Sequence, residues 1–339
     1  MISIVKVDSA QLEKEFVLFP FKLYKGCEYW VPPIISEELD SMNKVKNPVF
    51  KNAEAEFYLA KKNGITVGRI AAIVNWVEIE EQKKNKLRFG WYDTIDDVDV
   101  SKKLLEQVID FGKKRKLDFI DGPVGFSNMD KAGLLIEGYE ELNTMITWYH
   151  YPYQKKHLEQ LGFTKLAEWV EYKIKIFSAE DAPEKVKKFS KIIQKRYELK
   201  VVNFKSKKEI IPYVDKMFEL LNVTYSNLQT FVTIKQYQID FYKEKFIKYI
   251  HPDFIKCCVD KEGSLIAFLI TMPSFSRALK KINGKMGILS YFHLFKAQYF
   301  NDRVSLYLIG VDPKYQSKGV TAVIFNELQQ TFNKKGIKE

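Results

Sequence analysis

The stretch of sequence best equipped to do chemistry runs from Val304 to Phe332 and reads VSLYLIGV-DPKYQSKG-VTAVIFNELQQTF. An apolar strand is expected to end at Val311, where Asp312-Pro313 breaks it, because proline cannot donate to a sheet ladder. A short polar turn follows, and Gly319 opens a helix whose core face is Val320, Val323, Ile324, Leu328 and Phe332. The backbone amides of Gln316 to Thr321 are thereby gathered at a helix N-terminus. There the first N–H groups have no partner within the helix, and the dipole favours negative charge. A pyrophosphate would be well solvated at such a turn, and Lys318 adds a positive charge. The competing reading is an ordinary strand-to-helix turn that contains a glycine.

Other chemistries find little footing. His150, His157, His251 and His293 lack metal-ligand spacing, and no cysteine pair suits zinc, so no metal is expected. Cys257 and Cys258 are adjacent, so they are poorly placed for a disulfide and on a strand would face opposite sides as small buried hydrophobes. The chain has no Gly-x-Ser-x-Gly elbow, no phosphate loop of the Walker type and no dinucleotide fingerprint. One long irregular stretch stands out, from Gly122 to Tyr153, with Gly122, Pro123, Gly125, Gly133 and Gly138 and then the aromatic run Trp148-Tyr149-His150-Tyr151-Pro152-Tyr153. It lines a substrate cleft or glues two modules together. His150 reads as a hydrogen-bonding residue before it reads as a base.

The elements that must position these residues come in two rounds. AEFYLAKK-NG-ITVGRIAAIV (Ala55 to Val74) is a hairpin around Asn63-Gly64, since both turn positions require positive φ. PDFIKCCVDK-EG-SLIAFLITM (Pro252 to Met272) repeats the layout around Glu262-Gly263, with Gly68 and Ala267 at matching places. Around the first hairpin the pattern predicts a strand at 2–7, a helix begun by Asp8 and Gln11 as a capping box, a strand at 87–94, and a helix over 99–116. A short strand at 118–121 follows, and Glu159 to Phe163 leads into a last strand pair ending near Phe177. A linker at 178–184, with Asp181 and Glu184 as a further capping box, opens a basic helix to Arg196. The second round begins with a strand at 200–204 and a helix capped by Ser206 and Glu209. Strand, helix, hairpin, strand and helix, twice, imply an α/β (α+β) architecture with a mixed sheet in each half.

With these elements in place, the turn Gln316-Ser317-Lys318-Gly319-Val320-Thr321 resembles the pyrophosphate loop of the GNAT superfamily of acyl-CoA-dependent N-acyltransferases. That loop has the pattern Gln/Arg-x-x-Gly-x-Gly/Ala and follows a strand that ends in Val and a Pro-containing turn. Thr321 departs from the small final residue. The resemblance extends to the first half through its hairpin and the Gly162-Phe163 turn, and the whole chain is similar to uncharacterised bacterial tandem GNAT-like proteins. It implies two tandem GNAT-like modules, each a mixed, mostly antiparallel sheet flanked by helices: residues 1–177 without a recognisable pyrophosphate loop, 178–199 as linker and basic helix, and 200–339 with the candidate loop. In the first module, Tyr92 to Val100 places Asp93, Asp96, Asp97 and Asp99 where phosphates would sit, and these carboxylates would repel a pyrophosphate. The second module stops at Glu339, where a further strand is expected, which suggests that it is incomplete at the C-terminus.

The resemblance also implies the cofactor and its contacts. Acetyl-CoA or another acyl-CoA would lie on Ile309, Val311, Gln316, Ser317, Lys318, Gly319, Val320 and Thr321. The strand backbone would hold the pantetheine arm, and an amide near Val311 would face the oxyanion. Strand alternation puts Ser305, Tyr307, Ile309 and Val311 on one face, so Tyr307 is the acid/base candidate, against the alternative of a packed strand tyrosine. The expected function is N-acyl transfer to a small-molecule or peptide amine. A non-catalytic ligand-binding or interaction protein and an aminoacyl-tRNA-dependent transferase are the alternatives.

Composition bounds the partners. A chain of 339 residues with 46% hydrophobic and 14% aromatic content can fill two cores. The net charge of +11 favours anionic partners, which leaves tRNA open, while the scattered lysines read as solvated helix faces. No apolar run reaches bilayer length and the first residues do not form a signal peptide, so a cytoplasmic protein with no membrane partner is expected.

Overall fold

The computed structural model describes residues 1–178, 184–246 and 250–339. Asp181, Ala182 and Pro183, on which the expected linker capping box rests, lie outside the described residues. The chain divides into two compact units. The first comprises Met1–Val170 with Gln229–Val232 and Phe275–Leu294, and the second comprises Glu171–Leu228, Thr233–Ser274 and Phe295–Glu339.

The first unit is a five-stranded sheet in the order β1 (Ile2–Lys6), β2 (Ala53–Lys62), β3 (Ile65–Asn75), β4 (Lys86–Thr94) and β5 (Phe119–Asp121). Neighbours are antiparallel except β4 and β5, which are parallel. Both faces of β3 are buried, so its sequence is apolar without alternation. One face packs on α3 (Val98–Lys113) through Leu104, Leu105, Val108 and Phe111, the stripe expected from the sequence. Gly68 permits this approach, because a Cβ there would meet Leu104 and Val100 at 2.9 Å. The other face packs on α1 (Ala10–Leu23) and α2 (Ile35–Met42) around Phe16, Phe57 and Trp91. The N-cap of α1 is Ser9, whose hydroxyl accepts the Leu12 amide, and not Asp8. After α4 (Pro152–Gln160) the expected strand pair to Phe177 is not formed: residues 164–177 join no ladder among the described residues. Their alternating pattern supplies strand propensity, but a strand also needs a partner edge.

The second unit holds β6 (Lys200–Asn203), β7 (Ile255–Val259), β8 (Leu265–Pro273) and β9 (Val304–Val311), in that order and antiparallel throughout. Its helices are α5 (Glu184–Arg196), α6 (Lys207–Thr224), α7 (Gln236–Phe246) and α10 (Val320–Lys335); α8 (Ser276–Ile282) and the start of α9 (Ile288–Tyr299) belong to the first unit. The later segments are pinned there by backbone and side-chain bonds. Arg88 donates to the Thr230 carbonyl (2.9 Å), and the Ile35 amide donates to Gly284 (3.0 Å). The core of the second unit is the α10 face Val320, Val323, Ile324, Leu328 and Phe332 against Cys258, Ala267 and Leu269. Both Cys257 and Cys258 are buried, and burial raises both thiols, Cys258 to about 12.

The internal repeat extends to single hydrogen bonds. In each hairpin the register slips beside the matched small residue, between Ala60 and Lys61 opposite Gly68, and between Cys258 and Val259 opposite Ala267. The carbonyl freed by the slip accepts the first amide beyond the next strand, Ile95 on Val67 (3.0 Å) and Asp312 on Ile266 (2.8 Å). Each long helix then ends through a left-handed residue, Lys116 or Gly336, with Leu117 donating to Gly112 and Ile337 to Phe332. The next residue of each also repeats, with Asp118 donating to Asn85 and Lys338 to Asp302.

Candidate functional site

The turn between β9 and α10 is built by its own side chains. Asp312 ends the strand, and its carbonyl accepts the amides of Tyr315 (2.8 Å) and Gln316 (3.1 Å) while its carboxylate takes Lys314 (2.8 Å). Pro313–Tyr315 forms one 3₁₀ turn. The Gln316 amide group reaches back to donate to the Val311 carbonyl (3.1 Å), tying the turn to the end of the strand. Ser317 and Gly319 both adopt left-handed backbone, at φ 59° and 80°, which turns successive N–H groups toward one side. Among the described residues no oxygen accepts from the amides of Ser317, Gly319, Val320 or Thr321. Gln316, Ser317, Lys318 and Thr321 are exposed. The turn therefore offers several unused donors and one lysine to an anion, at a helix of four turns.

One wall of this turn is α5. The Phe189 ring and Ile193 lie against Gly319, and Lys318 Nζ stands 5.6 Å and 5.3 Å from the ring centres of Tyr197 and Tyr315. These cation–π contacts hold the lysine beside the turn while leaving its charge exposed.

The strand that leads into the turn differs from simple alternation. Ile309 pairs with Leu269 and Val311 with Ala267, and both contribute to the α10 core. Beyond Ile270–Leu308 the register slips, so that Thr271 pairs with Leu306 and Met272 with Ser305. Tyr307 is the extra residue of this bulge, and the slip moves Ser305 off the Ile309–Val311 face where alternation had put it. Tyr307 is half-buried. The sequence reading missed Tyr225, at the end of α6, whose hydroxyl donates to the Ile309 carbonyl (3.0 Å). Burial pushes that phenol above its ordinary range. No local signal marks it, because the contact joins residues far apart in the chain.

The matching turn of the first unit is short. Asp97 is the N-cap of α3; its carboxylate accepts the Asp99 amide (3.1 Å) and pairs with Lys62 (3.2 Å). Asp96 meets His157 (3.1 Å). Asp93, expected in the turn, lies instead within β4, buried and paired with Arg69 through Nε and Nη2, each at 2.8 Å. Of the four carboxylates, one is thus neutralised in the interior and one occupies the helix N-terminus that an anion would use.

Gly122 to Tyr153 packs on the β4 side of the first unit. Val124 donates to Phe89, Trp148 rests edge-on against Trp91, and the buried His150 accepts the Leu135 amide at Nδ1 (3.3 Å). Desolvation lowers His150 to about 4, so it is neutral at pH 7 and, as expected, a hydrogen-bonding residue. Beside it a narrow cleft is lined by Tyr24, Glu38, Arg69, Asp93, Lys131 and Tyr149 among others. The cleft is only large enough for one or two waters. Tyr24 bridges Asp93 (2.6 Å) and the Tyr149 carbonyl (3.0 Å), so the cleft is a bonded polar network.

No family model matches the chain. It is 26% identical to Protein YghO of Escherichia coli (strain K12) over 277 residues, 80% of this chain and 68% of the relative. It is 26% identical to the Bacterial ceramide synthase of Caulobacter vibrioides (strain NA1000 / CB15N) over 174 residues, 51% of this chain and 45% of the relative, so that match spans less than half of the synthase. Among solved structures it is similar to a tandem GNAT protein from the clavulanic acid biosynthesis pathway (TM-score 0.48, 9% identity, 100% of this chain and 88% of that one). It is also similar to a predicted acetyltransferase from Clostridium acetobutylicum solved with acetyl-CoA (TM-score 0.33, 14% identity, 51% of this chain and 96% of that one).

Proposed function

We propose that the chain is an acyl-CoA-dependent N-acyltransferase acting on an amine, with the CoA pyrophosphate on the β9–α10 turn. The observation that carries this reading is the set of unused amides at Ser317, Gly319, Val320 and Thr321 beside Lys318. Ile309 and Val311 lie on the strand that delivers the chain into this turn and would border the pantetheine arm. In the reaction the amine nitrogen attacks the thioester carbon, the C–S bond breaks, the amine gives up a proton and the CoA thiolate gains one. Tyr307 at the bulge is the acid/base candidate, and Tyr225, from the end of α6, brings a second phenol to this strand by donating to the Ile309 carbonyl. The relative named a ceramide synthase favours an amine-bearing lipid as the acceptor class.

Calorimetric titration with acetyl-CoA and a long-chain acyl-CoA tests the placement. Thr321→Asp is the informative variant, because Thr321 is exposed in the first helical turn, where an added carboxylate suits the helix dipole but opposes a bound anion. The expected outcome is a loss of affinity of about tenfold, or ~1.4 kcal/mol, with folding intact. Unchanged affinity in this variant rejects the turn as the site, and failure of both thioesters to bind rejects the reaction class.

A further inference from the structure

α9 is amphipathic in the wrong sense for a helix of a solvated surface. Ile288, Leu289, Tyr291, Phe292, Phe295 and Tyr299, with Phe300 just beyond it, are each more than half exposed, from 51% at Tyr299 to 90% at Ile288. At about 100° per residue these positions fall within half of the helix circumference. The opposite half carries Ser290, His293, Leu294, Ala297 and Gln298, all buried or half-buried. Apart from Leu294, small and polar residues thus face inward while large apolar and aromatic ones face out. Seven large apolar side chains this exposed along one helix and its end are the kind of surface that marks an interaction site.

The charge along this segment is one-sided. Between Glu262 and Asp302 the sequence contains no acidic residue, and it contains Arg277, Lys280, Lys281, Lys285 and Lys296. Lys280 is spent on the carbonyls of Cys27 and Glu28, whereas Lys281, Lys285 and Lys296 are exposed. An apolar stripe with tyrosines and phenylalanines, on a segment that carries lysines and no carboxylate of its own, has the composition of a helix lying in the interface of an anionic bilayer. No helix among the described residues is long and apolar enough to cross a membrane, which concerns spanning and not surface docking.

We propose that α9, with the basic segment before it, docks the protein on an anionic lipid surface. This departs from the sequence expectation of no membrane partner and does not rest on the transfer reaction proposed above. The occupant is a bilayer and not a second copy, because a copy would bring the same uncompensated lysines to the contact, while anionic headgroups neutralise them.

The test is flotation of the full chain with vesicles of equimolar phosphatidylcholine and phosphatidylglycerol, and with phosphatidylcholine alone, at low and high salt. The chain should float with the anionic vesicles, less at high salt, and hardly at all with phosphatidylcholine. Ile288→Ser with Phe292→Ser should lower the bound fraction at least about fivefold, and so should Lys281→Glu with Lys285→Glu, each pair leaving thermal unfolding unchanged. Flotation that neither pair weakens, or no flotation at all, overturns the proposal. So does a dimer by light scattering that Ile288→Ser with Phe292→Ser makes monomeric while vesicles do not bind, an outcome that gives the face to a second copy.

Discussion

The Phe189 ring stands 2.7 Å from where a Cβ on Gly319 would lie, and Gly319 itself sits at φ 80°. A side chain at this position would therefore meet α5 and not the free amides. Gly319→Ala is expected to destabilise the second unit by about 1–2 kcal/mol from the left-handed backbone alone, plus the cost of displacing the ring. Phe189→Ala should restore the second part and not the first. Urea unfolding of the two single variants and the double variant checks this, and full additivity would show that the ring does not matter. Gly319→Asp is for the same reason a poor probe of CoA binding.

One CoA should bind per chain. The α3 N-terminus of the first unit is closed by Asp97, which already holds the Asp99 amide and Lys62, whereas the α10 N-terminus has no such carboxylate. Calorimetry reads the stoichiometry directly. A value of two, or a value of one that survives Thr321→Asp, contradicts the assignment to the second unit.

Much of this was legible because local rules and the tertiary structure agree. Asn63-Gly64 has both residues left-handed, and the small residues Gly68 and Ala267 mark the same register slip in both sheets. What was not legible depends on partners distant in sequence. The bulge at Tyr307 is a property of pairing with β8, with no glycine or proline to announce it, and it undoes the two-residue alternation on which the Ser305 placement rested. Residues 164–177 alternate as a strand would, but no edge receives them among the described residues beyond one bond from Ile176 to Lys338. Asp93 reads as one of a run of acids, and only the fold shows that Arg69 and Tyr24 enclose it.

That enclosure sets a second stability prediction. Asp93 accepts from Arg69 Nε and from Tyr24 and is ion-paired with Arg69 Nη2, all within the interior. Removing one member of a buried ion pair leaves the other charge without compensation, so Asp93→Ala should cost about 3–5 kcal/mol. Tyr24→Phe removes a single bond to a charged group and should cost about 1.5–3 kcal/mol. Chemical denaturation measures both. A smaller loss for Asp93→Ala than for Tyr24→Phe would mean that Arg69 finds another partner or water.

His150 predicts how stability depends on pH. Its imidazole is buried, accepts the Leu135 amide and is held to about 4 by desolvation, against an ordinary value of 6.5. Between these values the unfolded chain binds a proton that the folded chain does not, so stability rises with pH across this window and falls as pH drops from 6.5 toward 4. A shift of this size corresponds to about 3 kcal/mol in total, complete once the pH lies below both values. Above pH 7 the residue contributes no pH dependence, because both states are neutral. His150→Asn removes the titrating group while keeping an acceptor for Leu135, so it should flatten the slope between pH 4 and 6.5 even if it lowers stability at pH 7. Urea midpoints for both proteins across this range decide the matter. Parallel curves would show that other groups, such as His251, which desolvation also lowers, carry the acid sensitivity.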